Sequence, residues 1–256
     1  MRLVELETNL GFAAACNRGV AAGTADVIVL LNNDVEVRSD FLEQLVAPFA
    51  DGARLGSVAA LLVRRDGRTI DSVGLAADRT LAGFARLAGR PVAEASAARP
   101  LLVGPSGGAA AYRRRAWEDV GGLDDRIFMY MEDLDLALRL RAAGWETAAA
   151  PSAVGLHLGS ATIGAASAWT RYNGGWARGY LLRRYGVLRS RAALRAAATE
   201  LLVVAGHLAR SRDASAVRGR IAGWRAAGEE PPLRPPTAGI DDSIGLVDSL
   251  RLRVAP

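Results

Sequence analysis

Three clusters in this chain carry side chains able to hold a cation and move a proton: Asn32-Asn33-Asp34, Glu132-Asp133-Leu134-Asp135 and His157. Asn32-Asn33-Asp34 follows the pure apolar run Val27-Ile28-Val29-Leu30-Leu31, so its carboxylate stands at the end of a strand. In open α/β sheets ligands bind beyond the carboxyl ends of the strands. A carboxylate there can hold Mg²⁺ or Mn²⁺ against a diphosphate, because hard cations take oxygen ligands and keep positions for phosphate. The neighbouring amides can hydrogen-bond ribose or phosphate. Asn and Asp also favour plain turns, and by local pattern alone the turn is preferred. Asp133 falls in the first turn of a helix, where a negative charge gains roughly 0.3–1 kcal/mol against the dipole without any catalytic role. Yet Met129-Tyr130-Met131 before it and Leu134 after it set it in apolar surroundings. Such surroundings raise a carboxyl pKa and suit a general base, a role worth roughly 10²–10⁴ in rate. Asp135 points elsewhere on the helix and reads as structural. His157 lies in the Gly-rich stretch Val154 to Ser160; a lone His is more often structural than a ligand, and His207 is read as structural. A strand-end carboxylate, a helix-start carboxylate and an imidazole together are the equipment for displacing a phosphate leaving group with a hydroxyl.

Alternating strand and helix patterns must position these groups. Leu3 to Leu6 reads as a short strand and Phe12 to Ala22 as a helix. Val27 to Leu31 has the continuous apolar, β-branched character of a strand buried on both faces. Asp40 and Glu43 are spaced like a capping box ahead of the stripe Phe41, Leu42, Leu45, Val46 and Phe49. Ser57 to Val63 is a strand, Asp66-Gly67 a hairpin turn, and Thr69 to Leu75 the returning strand. Residues 76–100 read as a loop with a helical piece, and Leu101 to Val103 as a short strand. Gly104-Pro105-Ser106-Gly107-Gly108 can bring backbone close to a substrate, but it is neither Gly-x-Gly-x-x-Gly nor a P-loop, so dinucleotide and ATP binding are unsupported. Helices follow over Arg114 to Val120 and after Asp133, with Gly144 as C-cap, and Glu146 to Ala150 is a strand. The pattern is helical and strongly basic from Thr170 to about Gly228; then Glu229-Glu230-Pro231-Pro232 breaks it and the rest reads as a loose tail.

The 256 residues suffice for a sizeable core in one or two domains. One cysteine, Cys16, excludes an intramolecular disulfide framework and a cysteine-based zinc site. It sits among alanines and reads as a small buried residue. The net charge is +5, and every basic side chain is Arg. That charge suits an anionic substrate or a membrane surface; no aromatic-plus-basic stretch or zinc-finger spacing supports nucleic acid. Met1 to Glu5 turns polar at once, unlike a signal peptide, and no apolar run approaches the roughly 20 residues of a membrane span. A soluble or peripheral protein of the cytoplasm, at the inner face of the cell membrane, is expected.

In order and spacing these pieces resemble the family 2 glycosyltransferases of GT-A fold, in their inverting, rhamnosyltransferase-like branch. The likeness begins at Asn9-Leu10-Gly11-Phe12 and Asn17-Arg18-Gly19 and continues through Leu31-Asn32-Asn33-Asp34-Val35, similar to the family's variant Asp-x-Asp motif. It then takes in Gly107-Gly108-Ala109, Val120-Gly121-Gly122-Leu123-Asp124-Asp125, Phe128 to Leu136, Arg139 to Gly144, and His157 with Ser160. It covers roughly Leu3 to Tyr185. The resemblance implies that Asp34 binds a divalent metal, Mg²⁺ or Mn²⁺, with His157 completing the metal and diphosphate site. It implies Asp133 as the base with Glu132 in support, and Gly107 and Gly108 at the donor–acceptor junction. Asn9, Gly11, Asn17, Asn32 and Asn33 would lie on the donor side. Members normally open with a strand, a Thr-Tyr-Asn-like turn, a helix and a second strand; here the chain opens at what reads as the third strand.

The expected fold is therefore α/β: a GT-A mixed sheet flanked by helices, lacking the usual first βαβ unit, with a C-terminal helical extension. The expected division is a glycosyltransferase domain over 1–185, a basic helical extension over 186–228 and a Pro-rich flexible tail over 229–256. The expected activity moves a sugar, with dTDP-rhamnose as the leading donor, to a hydroxyl of a lipid-linked or cell-surface glycan precursor. The basic helices would meet anionic lipid or the acceptor's diphosphate, or else pack on the catalytic domain or form a homodimer. The competing expectation is a non-catalytic remnant that binds a glycan or partner and transfers nothing.

Overall fold

The computed structural model describes residues 3–50, 52–159 and 167–254; Ser160, part of the expected motif around His157, lies outside them. Its centre is a mixed six-stranded sheet. Along it run β1 (Val27–Leu31), β7 (Ala109–Arg113), β3 (Leu55–Val63), β8 (Glu146–His157) and β2 (Val35–Val37), with β4 (Ile70–Ser72) also paired to β3. β3 and β8 are parallel and every other pair is antiparallel. β5 (Leu75–Ala77) and β6 (Gly83–Ala85) form a separate hairpin within the stretch expected to be loop. All nine residues of β3 are buried, as a central strand's continuous apolar run requires.

Helices cover the sheet. α1 (Phe12–Ala21), α3 (Arg114–Asp119) and α4 (Glu132–Ala142) pack with β1 and β7 through Ala13, Tyr112, Trp117, Leu136 and Leu140. α2 (Phe41–Val46) places Phe41 and Leu45 against β3 and β8. α5 (Ala168–Arg184), α6 (Ala193–Ser211), α7 (Ser215–Ala226) and α8 (Leu246–Val254) form a C-terminal layer. α5 and α7 meet backbone to backbone. A Cβ on Gly219 would stand 2.1 Å from the Tyr172 carbonyl oxygen, and one on Gly223 1.9 Å from that of Trp176. Only glycine allows that approach.

Several expectations are corrected. Val27–Leu31 pairs on one side only, with β7, and is the edge of the sheet among the described residues; α2 and β3 side chains cover one face and α1 the other, but Val27 and Val29 stay half-buried and Leu31 exposed, so the strand is not fully buried on both faces. Leu3–Leu6 and Leu101–Val103 form no strand, though Leu75 and Val103 exchange one backbone bond. Asp40 makes no cap hydrogen bond and instead lies 3.4 Å from Arg38. The strand at Glu146 runs on past Pro151 to His157, because a register shift beside Ala60 and Leu61 absorbs the interruption.

The C-terminal segment also differs from a loose tail. Asp241 is fully buried, its carboxylate accepting from Arg99, the Leu101 N–H and Ser243. The Leu233 N–H donates to Arg184, Glu230 pairs with Arg126, and α8 anchors Arg253 on Glu200. Apart from Ser243, these partners are distant in sequence, so no local pattern announces them. α5 likewise packs on α7 across the boundary expected near 185, and the C-terminal helical layer shares one core cluster with α4, in which Tyr180, Leu181 and Tyr185 meet Leu134 and Leu138.

Candidate active site

The loop 104–108 joins the three chemistry-bearing clusters. The Asn32 N–H donates to the Gly108 carbonyl at 3.0 Å, tying the Asn32-Asn33-Asp34 turn to the loop. The Gly107 N–H donates to Asp133 Oδ2 at 2.8 Å. Ser106 and Ser72 hydroxyls lie 3.2 Å apart, which ties the loop to β4 next to Asp71. Asp71 Oδ2 in turn lies 2.8 Å from His157 Nδ1, and His157 Nε2 lies 3.4 Å from Asp34 Oδ2. Each link is short-range, so Asp34, His157 and Asp133 are held about one stretch of backbone. A Cβ on Gly107 would stand 3.6 Å from Asp133 Oδ2 and one on Gly108 2.9 Å from Leu62, so the loop passes close to its neighbours.

Asp133 is half-buried at the start of α4, and its two oxygens accept from the Gly107 and Leu134 N–H groups. Burial raises its pKa, and these two donors oppose the rise. Glu132 is buried, with Oε2 lacking a partner among the described residues. Burial first, and then the Asp133 charge, pushes its carboxyl up to about 8. The two acids titrate as a pair that holds a proton well above the ordinary carboxylate range. Tyr130 and Met131, both at left-handed φ, turn the chain sharply into the helix. Asp135, fully buried with Arg139 and the Tyr185 hydroxyl, is structural.

Asp34 and His157 offer a carboxylate and an imidazole, a donor set that suits Mg²⁺ or Mn²⁺. Asp34 Oδ1 is buried without a partner among the described residues, which is what an absent cation would leave. Among those residues no three His, Cys, Asp or Glu side chains form a ready metal cage. Two protein donors fit a cation whose remaining ligands are phosphate and water. Sequence reading missed Asp71. It accepts from, and so orients, the far nitrogen of His157, as carboxylates behind metal-binding histidines do. An Asp on a hairpin strand gives no sequence signal of this role. Asp71→Asn is expected to weaken divalent-metal affinity about 10–100-fold with little loss of stability; Mn²⁺ titration with nucleotide present checks it, and unchanged affinity would remove Asp71 from the site.

The expected donor-side residues divide. Asn32 and Asn33 lie in the turn with Asp34, and Asn33 is exposed. Asn9 Oδ1 accepts from the Gly11 N–H, and Gly11 at φ +87° lies where a Cβ would be 2.3 Å from the Phe128 carbonyl oxygen. Both serve the junction between α1 and the 121–130 turn. The Asn17 amide donates to Leu123 and Asp125 and accepts from the Leu123 N–H, which ties it to that same turn. Cys16 is half-buried beside Glu132, and burial, then the Glu132 charge, pushes its thiol up to about 11, which disfavours the thiolate.

Residues 1–121 match the model of glycosyl transferase family 2. The match covers a little under half of the chain. Across 179 residues it is 31% identical to the N-acetylglucosaminyl-diphospho-decaprenol L-rhamnosyltransferase of Mycobacterium tuberculosis, covering 61% of this chain and 58% of that protein. It thus spans little more than half the length of that relative. An uncharacterized protein of Sinorhizobium fredii, y4gI, is 32% identical over 168 residues, 60% of this chain and 17% of the other. The crystal structure of GalNAc-T7 with UDP, GalNAc and Mn²⁺ superposes on 88% of this chain and 44% of its own at a TM-score of 0.52 and 16% identity. That likeness concerns the fold, which is GT-A: a mixed sheet flanked by helices, with a helical C-terminal part. The family 2 match ends within the turn after α3, so Asp34 and Gly107-Gly108 lie inside it and Asp133 and His157 beyond it.

Proposed function

We propose that this chain is an inverting, metal-dependent glycosyltransferase that moves rhamnose from dTDP-rhamnose to a hydroxyl of a lipid-linked glycan precursor. The observation that carries the reading is the loop 106–108, which hydrogen-bonds to the Asp34 turn on one side and to Asp133 on the other. The mycobacterial relative, an N-acetylglucosaminyl-diphospho-decaprenol L-rhamnosyltransferase, supports the acceptor class and the sugar.

Asp34 and His157 would hold Mg²⁺ or Mn²⁺, which when bound offsets charge on the departing diphosphate. Asp133 takes the proton from the acceptor hydroxyl as its oxygen attacks the anomeric carbon from the face opposite the diphosphate. The Gly107 and Leu134 N–H groups fix Asp133's orientation. Glu132 keeps the pair's proton affinity high, so that the base is strong at neutral pH. The backbone of Gly107 and Gly108 separates donor from acceptor.

No helix among the described residues is long and apolar enough to cross a membrane. Exposed Leu194, Leu201, Leu202 and Leu208 on α6, near exposed Arg191, Arg210 and Arg212, support peripheral contact with an anionic membrane, its inner face in the cell. Failure to co-sediment with anionic vesicles at low salt would remove that contact; dimerisation through the same face is then the better account.

The experiment is transfer from dTDP-rhamnose, UDP- and GDP-sugars to a short-chain GlcNAc-diphospho-lipid with Mn²⁺, the product anomer read by NMR. Rhamnosyl product of inverted configuration is expected. Nucleotide binding without transfer to any acceptor would favour the non-catalytic reading.

A further inference from the structure

Beside Met131, the residue preceding Glu132, a pocket of about 400 Å³ opens between the β6 hairpin and the C-terminal helices. Its charged lining is entirely cationic: Arg171 and Arg178 from α5, Arg220 from α7 and Arg253 from α8, with His207 from α6. No carboxylate lines it among the described residues.

The carboxylates behind the wall do not balance that charge. Arg178, Arg220 and Arg253 all converge on one acid, Glu200, at 2.7, 2.9 and 2.6 Å. Arg171 pairs with Asp213, and the nearby Asp78 is engaged by Arg195. Among the described residues, Arg178, Arg220 and Arg253 thus share one directly paired carboxylate. Three guanidiniums around one acid is more than its two oxygens need, and like charges drawn together at a buried site are costly unless an anion joins them. Two lining atoms are also left over. Arg253 Nε and His207 Nδ1 are buried with no partner among the described residues, and the Arg253 side chain is nine-tenths buried. Burial and the charges of Arg220, Arg210 and Arg171 lower the His207 pKa, which reports the same positive field.

We propose that this pocket binds a phosphate-bearing anion, the diphosphate of the acceptor, and so positions the acceptor's sugar hydroxyl at Asp133. Forked guanidiniums suit phosphate oxygens, and burial strengthens each contact. A Cβ on Gly83, in the opposite wall, would stand 2.9 Å from Leu134, so the pocket adjoins the first turn of α4 that carries the base. The identity of the anion as an acceptor diphosphate rests on the proposed function; the anion site itself does not.

The test is calorimetric titration with inorganic pyrophosphate and with farnesyl diphosphate, without divalent metal or nucleotide, on the full chain and on Arg253→Gln, His207→Glu and Asp34→Ala. Arg253 belongs to the Glu200 cluster and its loss can unfold the helical layer; the His207 Nδ1 has no partner among the described residues, so His207→Glu tests the pocket with the clamp intact. Both pocket variants are expected to weaken binding at least tenfold, with Asp34→Ala binding as the parent does. Tighter binding of farnesyl diphosphate marks a lipid-linked ligand, and equal binding marks free phosphate, which overturns the acceptor assignment. Absent pyrophosphate binding, or binding unchanged in folded His207→Glu, overturns the pocket. Mn²⁺-dependent nucleotide binding is measured in parallel: its loss alone would sink the donor site and leave the pocket standing.

Discussion

Asp133→Asn is expected to lower the transfer rate by about 10²–10⁴ while Mn²⁺-dependent nucleotide binding stays within about twofold. The amide keeps the size of the carboxylate and an oxygen for the Gly107 N–H, but it cannot accept the acceptor's proton. The pH dependence follows from the same chemistry. The base must be ionised, and burial raises the pKa of both Asp133 and Glu132, the latter to about 8. Activity should therefore rise through neutral pH, with its limb above the ordinary carboxylate range. Glu132→Gln removes the neighbouring charge and should move that limb to lower pH. Stability has the opposite slope. The native pair binds its proton more tightly than the unfolded chain, so its contribution is greatest below the unfolded value of about 4 and declines as pH rises toward about 8. Glu132→Gln should flatten that decline. A rate limb in the ordinary carboxylate range, or full activity in Asp133→Asn, would remove Asp133 as the base.

The largest stability effect is expected at Glu200. Its single carboxylate joins α6 to α5 through Arg178, to α7 through Arg220 and to α8 through Arg253. Burial works against its charge, but the three guanidiniums overcome that and hold the carboxyl well below its ordinary range. Glu200→Gln leaves buried guanidiniums without a counter-charge, a loss of about 3–5 kcal/mol. For a chain of this size that lowers Tm by roughly 10 °C. Because the folded pKa is depressed, the clamp's stabilisation is fully present above the unfolded value of about 4.3 and is lost progressively as pH falls from there toward the depressed folded value. Urea unfolding of the variant at pH 7 and pH 3 checks both statements: a large difference from the parent at pH 7 should narrow at pH 3. A variant as stable as the parent at pH 7 would mean that the cluster holds nothing together.

What was legible in the sequence was local. The apolar run before Asn32, the helix after Asp133 and the Gly107-Gly108 pair are each visible in a few consecutive residues, and the α/β mixed sheet follows from their alternation. The parts that escaped depend on distant partners. Asp71 matters only because β4 pairs with β3 and β3 with β8, which ends at His157. The ties of Asn17 to Leu123 and Asp125 likewise join residues 106 and 108 positions apart. The prolines after Glu230 read as disorder, since proline breaks helices and strands, but they do not prevent Asp241 from burying itself against Arg99 and Leu101. The cationic pocket draws arginines from three helices and could not be assembled from a charge run.

The most direct test of the central claim, that Asp34 and His157 hold a metal–nucleotide donor facing Asp133, is calorimetric binding of dTDP, UDP and GDP. It is made with and without Mn²⁺ on the parent chain and on Asp34→Ala. The account predicts that one nucleotide, with dTDP expected, binds only with Mn²⁺ and that Asp34→Ala loses at least tenfold in affinity while remaining folded. Binding that ignores Mn²⁺, or that survives unchanged in Asp34→Ala, would contradict it.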